Sequence, residues 1–357
     1  MNTQARNRTI RVLVVDDSRL MCTHISKILQ DDGQIDVVGM AKDGIEALEM
    51  IDDLKPDVVT LDVEMPRMNG LTALKHIMIR HAIPTVMISA LTLEGSKTTF
   101  DAFKYGAIDV IAKPSRREDE SLSGQKLDII NKVKRAADIR TGKSRYVRMA
   151  SINTPSKAHG GGALDPLTRV IGIGAGTGGY YSLLRIIPGL PAHFQGIVIA
   201  VVLAASRYVE PFIAYLGDHS AIPVLGAKHL QSPRKGICYV CPGQDTRVVC
   251  KNGKAGVRFR LSEGASEGAG GRVIDTMFTS LASAVGERAV GVVLSGPGAD
   301  GAEGISQIRK AGGIGVVQDI TNCMDPSMPL AVLEKGSVEK ILPDFLIAEF
   351  LAGLVAR

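Results

Sequence analysis

The sequence has no tryptophan, and aromatic residues of every kind make up 4% of it. Faces that grip nucleic acid combine clustered cations with rings that stack on bases, whereas here the basic residues are dispersed along the chain. No nucleic-acid partner is therefore expected. No apolar run approaches the roughly 20 residues that cross a bilayer, so membrane insertion is not expected either. Residues 1–9 are polar and carry no apolar core of a secretion signal, which makes the cytoplasm the expected location. Cysteine is scarce as well. Five thiols, an odd number, argue against a disulfide framework and for a reducing compartment. Cys22 and Cys323 read as small buried hydrophobes. Cys238 and Cys241 form a CxxC, yet Ile237, Tyr239 and Val240 around them read as a strand, and no second pair completes a zinc tetrad.

What the chain does have is length for two domains and two stretches of alternating strand and helix pattern. Short apolar runs at 10–15, 35–40, 57–61, 85–88 and 108–112 predict five strands. Between them Met21, Ile25, Ile28 and Leu29, and later Ile45, Leu48 and Ile51, recur at helical spacing. Together they predict a doubly wound, flavodoxin-like five-stranded parallel sheet, closed by a helix over 123–138, as a domain of residues 9–138. Residues 139–167 turn basic and then rich in Ser, Gly and Ala, and read as a linker. Residues 168–357 begin a second α/β domain: a strand at 169–173, a glycine loop, a helix from Tyr180, and strands at 197–202 and 290–294. Asn252-Gly253, between apolar runs at 247–250 and 257–261, predicts an antiparallel hairpin inserted into a mainly parallel sheet.

In the first domain Asp16 and Asp17 end the first strand and Asp62 ends the third, where an open α/β sheet gathers ligands. Three converging carboxylates repel one another unless a cation neutralises them, and oxygen donors favour a hard ion such as Mg2+. Ser89 and Lys113, after the fourth and fifth strands, add a hydroxyl and a fixed positive charge. The runs Val14-Val15-Asp16-Asp17-Ser18, Leu61-Asp62 through Met65-Pro66-Arg67-Met68-Asn69-Gly70, and Lys113-Pro114 resemble the response-regulator receiver family. That resemblance implies phosphorylation of Asp62 by a histidine kinase, Mg2+ held by Asp16, Asp17 and Asp62, and a phosphoryl group contacted by Ser89 and Lys113. Val110 departs from the family, in which many members carry a Phe or Tyr that reorients on activation.

From Arg169 onward the chain resembles the catalytic domain of chemotaxis protein-glutamate methylesterases. The matching segments are 171–179 (Ile-Gly-Ile-Gly-Ala-Gly-Thr-Gly-Gly), 294–301 (Leu-Ser-Gly-Pro-Gly-Ala-Asp-Gly) and Gln318-Asp319 through Met328-Pro329. The family hydrolyses methyl esters of receptor glutamates, and some members deamidate glutamines, with a serine, a histidine and an aspartate. Gly176 stands where the resemblance places the serine and Val202 where it places the histidine. Asp300 matches the aspartate, and Pro297, with no N–H to donate, stands at a position associated with the oxyanion. A His-Arg-Pro-Ser segment of the family is replaced by Gly270-Gly271-Arg272-Val273. Acyl transfer needs a nucleophile and a base, so a degenerate effector is expected, with Asp300 left without a role and no cofactor needed.

Several alternatives stand beside that expectation. Thr177 with His193, His219 or His229 could form a relocated site, leaving an active methylesterase or deamidase. Residues 174–179 also spell GxGxxG, which raises nucleotide binding, although no acid follows about 20 residues on. The protein could instead be a phosphate sink. The expected partners are a kinase of a chemotaxis-type system and the cytoplasmic parts of chemoreceptors. The resemblance further implies that the receiver covers the effector cleft until it is phosphorylated.

Overall fold

The computed structural model describes residues 9–89, 97–114, 121–138, 168–176, 178–204, 206–244, 246–253, 256–263 and 272–356. The chain folds as two compact units, Met1–Val147 and Arg148–Arg357. The stretch 139–167, expected as a linker, lies outside the described residues.

In the first unit the strands are β1 (Ile10–Val15), β2 (Ile35–Ala41), β3 (Val58–Asp62), β4 (Thr85–Ser89) and β5 (Asp109–Ala112). They alternate with α1 (Arg19–Gln30), α2 (Gly44–Leu54), α3 (Gly70–Arg80), α4 (Lys97–Lys104) and α5 (Ser121–Asp138). The sheet order is β2-β1-β3-β4-β5 and every pair is parallel, the doubly wound topology expected from the sequence. Continuous apolar runs make this possible because the inner strands are covered on both faces: all of β3 and β4 is buried. Three of these helices start at polar caps. Ser18 accepts from Met21 N, Asp43 from Ile45 N and Glu46 N, and Asn69 from Thr72 N.

The second unit is built on a seven-stranded sheet in which every pair is parallel. Its order is β14 (Lys340–Leu342), β13 (Ile314–Gln318), β12 (Ala289–Val293), β6 (Val170–Ala175), β7 (Ile197–Val202), β9 (Cys238–Pro242) and β8 (Val224–Gly226). From β6 the chain steps to β7 on one side, and β12 leads to β13 on the other. The carboxyl ends of β6 and β12 therefore flank a topological switch point, where such sheets form crevices.

Helices α6 (Gly179–Ile186), α7 (Ser206–Asp218), α8 (Val273–Val285), α9 (Ala302–Lys310), α10 (Ser327–Glu334) and α11 (Asp344–Val355) complete the unit. Tyr239, Phe259 and Phe278 are fully buried in its core. Burying each of these rings, rather than leaving it in water, contributes about 2–3 kcal/mol.

The hairpin exists as a separate two-stranded sheet, β10 (Thr246–Gly253) with β11 (Gly256–Glu263). Its register corrects one detail. Asn252 pairs with Val257 and Gly253 with Gly256, so the Asn-Gly dipeptide ends a strand instead of forming the loop. Cys238 and Cys241 do lie on a strand, both buried; burial alone pushes the Cys238 thiol up to about 12, and burial with the neighbouring Cys250 and Cys238 raises Cys241 further. Among the described residues no helix is long and apolar enough to cross a membrane.

Candidate functional site

Two places hold the side chains singled out in the sequence. The first is the carboxyl edge of the five-stranded sheet. Val15 pairs with Leu61, so Asp16 and Asp62 emerge level on neighbouring strands, and Ile88 opposite Asp62 brings Ser89 to the same edge. Carboxylate oxygens of Asp16, Asp17 and Asp62 all lie within 4.8 Å of one another. Lys113 Nζ is 2.6 Å from Asp16 Oδ2 and 3.0 Å from Asp62 Oδ2. Its backbone N–H donates to the Ser89 carbonyl at 2.6 Å, which ties the lysine to the end of β4.

One ammonium among three carboxylates leaves an excess of negative charge in a half-buried pocket. Burial pushes Asp62 above the ordinary carboxylate range despite Lys113, and Asp16 adds to the rise. Burial also works against the Lys113 charge, but the adjacent Asp16 and Asp62 outweigh it and hold that group above its usual value. The contact between Lys113 and Asp16 Oδ2 is short, yet this buried oxygen has no aligned hydrogen-bond donor. We read it as a charge contact that leaves a lone pair open. Three oxygen ligands with an unsatisfied buried oxygen among them fit a hard divalent cation such as Mg2+.

The loop after Asp62 is held by contacts that the motif alone did not give. Asp62 Oδ1 accepts from Val63 N at 2.7 Å, and Gly70 N donates to the Val63 carbonyl at 2.9 Å. A Cβ on Gly70 would overlap the Asp62 carbonyl oxygen, so only glycine lets α3 start so close to the strand end. Arg67 has a left-handed φ of 61° and sends Nε to Asp43 Oδ2 at 2.7 Å, with Nη2 on the same oxygen. Burial works to raise Asp43, but donors from Glu46, Arg67 and Ile45 hold it below the usual range. Asp43 also caps α2, so the left-handed arginine ties the loop to the start of that helix.

The second place is the switch point of the seven-stranded sheet. Gly176 follows β6 directly, and its N–H donates to the Ser295 carbonyl at 2.9 Å. A Cβ built on Gly176 would lie 2.7 Å from Gly296 Cα and 3.0 Å from Pro297 Cδ, so two backbones meet where a side chain would stand. Gly178, with φ +80°, is equally closed: its Cβ would lie 2.6 Å from Met324 Cβ and 2.7 Å from Ser295 Oγ. Val202 ends β7 at 1% exposure, with its carbonyl taken by Gly243 N at 2.6 Å and Ala204 N at 2.7 Å. Pro297 is exposed beside the Gly176 contact.

Among the described residues Ser295 brings a hydroxyl against this loop, and it is committed elsewhere. It is fully buried, its Oγ donates to the Asp325 carbonyl at 3.2 Å and accepts from Asp325 N at 2.9 Å. Gln318, missed by the sequence reading as a network member, supports it: its Oε1 accepts from Ser295 N at 2.9 Å and from Ser182 Oγ at 3.1 Å. Two of the three histidines have local partners. His219 Nδ1 lies 2.7 Å from the Tyr215 carbonyl with the ring stacked on Tyr215, and His229 Nδ1 is hydrogen-bonded to the Leu261 backbone. His193 is exposed. Thr177, Gly270 and Gly271 lie outside the described residues.

Asp300 corrects an expectation, because it is not without a role. Its carboxylate accepts from Ile274 N at 3.0 Å and Asp275 N at 2.9 Å, capping α8. Asp275 returns the arrangement, accepting from Gly301 N at 3.0 Å and Gly304 N at 2.6 Å at the start of α9. Two aspartates thus cap two helices crosswise, each filling orphan N–H groups of the other's turn. Burial pushes Asp300 above the usual carboxylate range, opposed by those backbone donors.

Comparison with known proteins gives two family matches. Residues 12–121 match the response regulator receiver domain, and residues 171–351 match the CheB methylesterase. The protein-glutamate methylesterase/protein-glutamine glutaminase of Pyrococcus abyssi is 39% identical over 342 residues, which is 94% of this chain and 91% of that protein. The protein of the same name from Symbiobacterium thermophilum is 36% identical over 98% of each. The crystal structure of the Thermotoga maritima CheB methylesterase catalytic domain is 26% identical with a TM-score of 0.49, covering 53% of this chain and 99% of that one.

Proposed function

The chain belongs to the CheB methylesterase family, with a receiver domain ahead of the methylesterase domain, and from that premise we propose a response regulator whose effector domain binds without hydrolysing. A receiver implies a histidine kinase as phosphoryl donor. An oxygen of Asp62 attacks the phosphorus of the kinase phosphohistidine; a P–O bond forms, the P–N bond breaks and imidazole leaves. Ser89 and Lys113 hold the transferred group. Asp16, Asp17 and Asp62 would hold Mg2+, whose charge would offset both the carboxylates and the incoming phosphoryl oxygens.

For the effector domain, the carrying observation is the contact between Gly176 and Gly296. The position assigned to the nucleophile has no reactive atom and no space for one, and Val202 at the position assigned to the base is buried hydrocarbon. What remains is a receiver-controlled surface, and the family resemblance supplies chemoreceptor cytoplasmic segments as its partners. Phosphorylation then acts by shifting the population of binding-competent effector. Phosphotransfer to wild type and not to Asp62→Asn, with no methanol released from methylated receptor by the same preparation, is the expected result. Methanol release by the purified wild type sinks the non-hydrolysing reading.

One observation favours a second reading. Relatives named protein-glutamate methylesterase/protein-glutamine glutaminase align over nearly the whole chain. An active esterase or deamidase predicts methanol or ammonia release that disappears on substitution of Thr177. Nucleotide binding by residues 174–179 has less support, because Gly174 packs on Ile274, Gly176 on Gly296 and Gly178 on Met324, which leaves these glycines in protein contacts and not around a phosphate. A phosphate sink predicts that the receiver alone reproduces the effect of the full chain.

A further inference from the structure

Along the sequence the basic residues are dispersed, but the β10–β11 register gathers four of them. Arg247 lies opposite Ser262, Val249 opposite Arg260 and Lys251 opposite Arg258. Residues paired across an antiparallel ladder share a face, and alternate residues of one strand do so too. One face of the ribbon therefore carries Val248, Cys250, Val257 and Phe259, all buried in the core over α8, where Ser280 Oγ accepts from Cys250 N at 3.0 Å. The opposite face carries Arg247, Lys251, Arg258 and Arg260. The last three are exposed.

We propose that this cationic face of the β10–β11 ribbon docks a carboxylate-rich segment of a partner protein. The inference rests on the reading of the effector domain as a binding module and names the chemistry of what it binds.

Three observations support it. Several guanidinium and ammonium groups elsewhere in the unit find acids, among them Arg185 with Asp344, Arg309 with Glu339 and Lys335 with Glu303. Among the described residues none of the four ribbon cations has such a partner. Next, Lys251 and Arg258 face each other directly in register, and like charges so placed destabilise a ladder unless an anion lies between them. Last, the Arg247 Nε is buried and finds no acceptor among the described residues, so a guanidinium donor on this face lacks its partner.

The kind of anion follows from what else the face presents. It has no aromatic ring, since Phe259 points into the core, so single-stranded nucleic acid finds nothing to stack on. Duplex DNA binding draws on the neutralisation of many phosphates, and a two-stranded ribbon with four cations offers few. The apolar residue on the face, Val249, is half-buried and too small to anchor in a lipid surface. Three of the four are arginines, whose forked donors match carboxylates and phosphates alike, and a protein segment presents the former.

The test uses the full chain and fluorescence anisotropy of a labelled glutamate-rich peptide, with a glutamine-for-glutamate peptide of equal length as control. The wild type binds the glutamate peptide, the control binds at least about tenfold more weakly, and added salt releases the complex. Lys251→Glu with Arg258→Glu weakens binding by about tenfold or more. Should that variant unfold by circular dichroism, Arg258→Gln with Arg260→Gln removes charge without repulsion and must still weaken it. Equal binding of the glutamine peptide, unchanged binding by the variants, or tighter binding of duplex DNA or phosphatidylserine vesicles overturns the proposal. Methanol release measured in parallel separates the two readings: its presence sinks the non-hydrolysing effector, while its absence together with absent peptide binding sinks the ribbon alone.

Discussion

Gly176 and Asp300 show how far one position can move from the chemistry its surroundings suggest. Restoring the hydroxyl by Gly176→Ser places a Cβ 2.7 Å from Gly296 Cα, which demands a backbone shift. Overpacking of that kind costs about 1–3 kcal/mol. The expected outcome is a lower urea midpoint and no methanol release, since Val202 still offers no base. Asp300→Ala strands the N–H groups of Ile274 and Asp275 and is expected to cost about 1–2 kcal/mol of effector stability, read from the same midpoint. Asp300→Asn keeps an acceptor without the buried charge. The folded-state value of Asp300 is raised above the unfolded 3.8, so the native state binds the extra proton between the two values. Wild-type stability should therefore fall, relative to Asp300→Asn, as pH rises from 3.8 through the raised value, and a flat difference across that window would contradict the assignment.

At the scale of elements, the junction of β3 with α3 decides whether Asp62 can work. Gly70 lets the helix begin against the Asp62 carbonyl, Asn69 caps it, and Arg67 ties the loop to Asp43 at the start of α2. Gly70→Ala is expected to lose phosphotransfer along with native receiver structure. Asn69→Ala is expected to lower receiver stability by about 1 kcal/mol while leaving phosphotransfer measurable. A Gly70→Ala variant that is phosphorylated normally, measured with labelled acetyl phosphate, would show that the loop is not held as described.

For the molecule as a whole, the two units have separate cores and should respond to different additions. Mg2+ above its dissociation constant stabilises a native state that alone binds it, by about 1.4 kcal/mol at tenfold excess. For a domain of receiver size that is a rise of several degrees, about 4–8 °C per kcal/mol. Differential scanning calorimetry should show one transition that rises with Mg2+ and a second that does not, with the shift abolished in Asp62→Asn. If both transitions move together in Asp62→Asn, the cation binds somewhere other than the carboxylate cluster.

The sequence by itself determined the five receiver strands, the receiver pocket and part of the second sheet, because apolar periodicity and strand-end acids are local signals. Asp16, Asp62 and Lys113 sit at strand ends that a parallel sheet must bring to one edge. Short edge strands such as β8 and β14 have too few residues for a periodic pattern, and β13 with the helices α7 to α11 also lay outside the sequence expectations. Only the tertiary structure decided what the effector positions became. Whether Gly176 has space, whether Asp300 caps a helix, and whether dispersed cations share a face all depend on atoms distant in the chain. Packing and register fix those relations, and neither is written in any single stretch of residues.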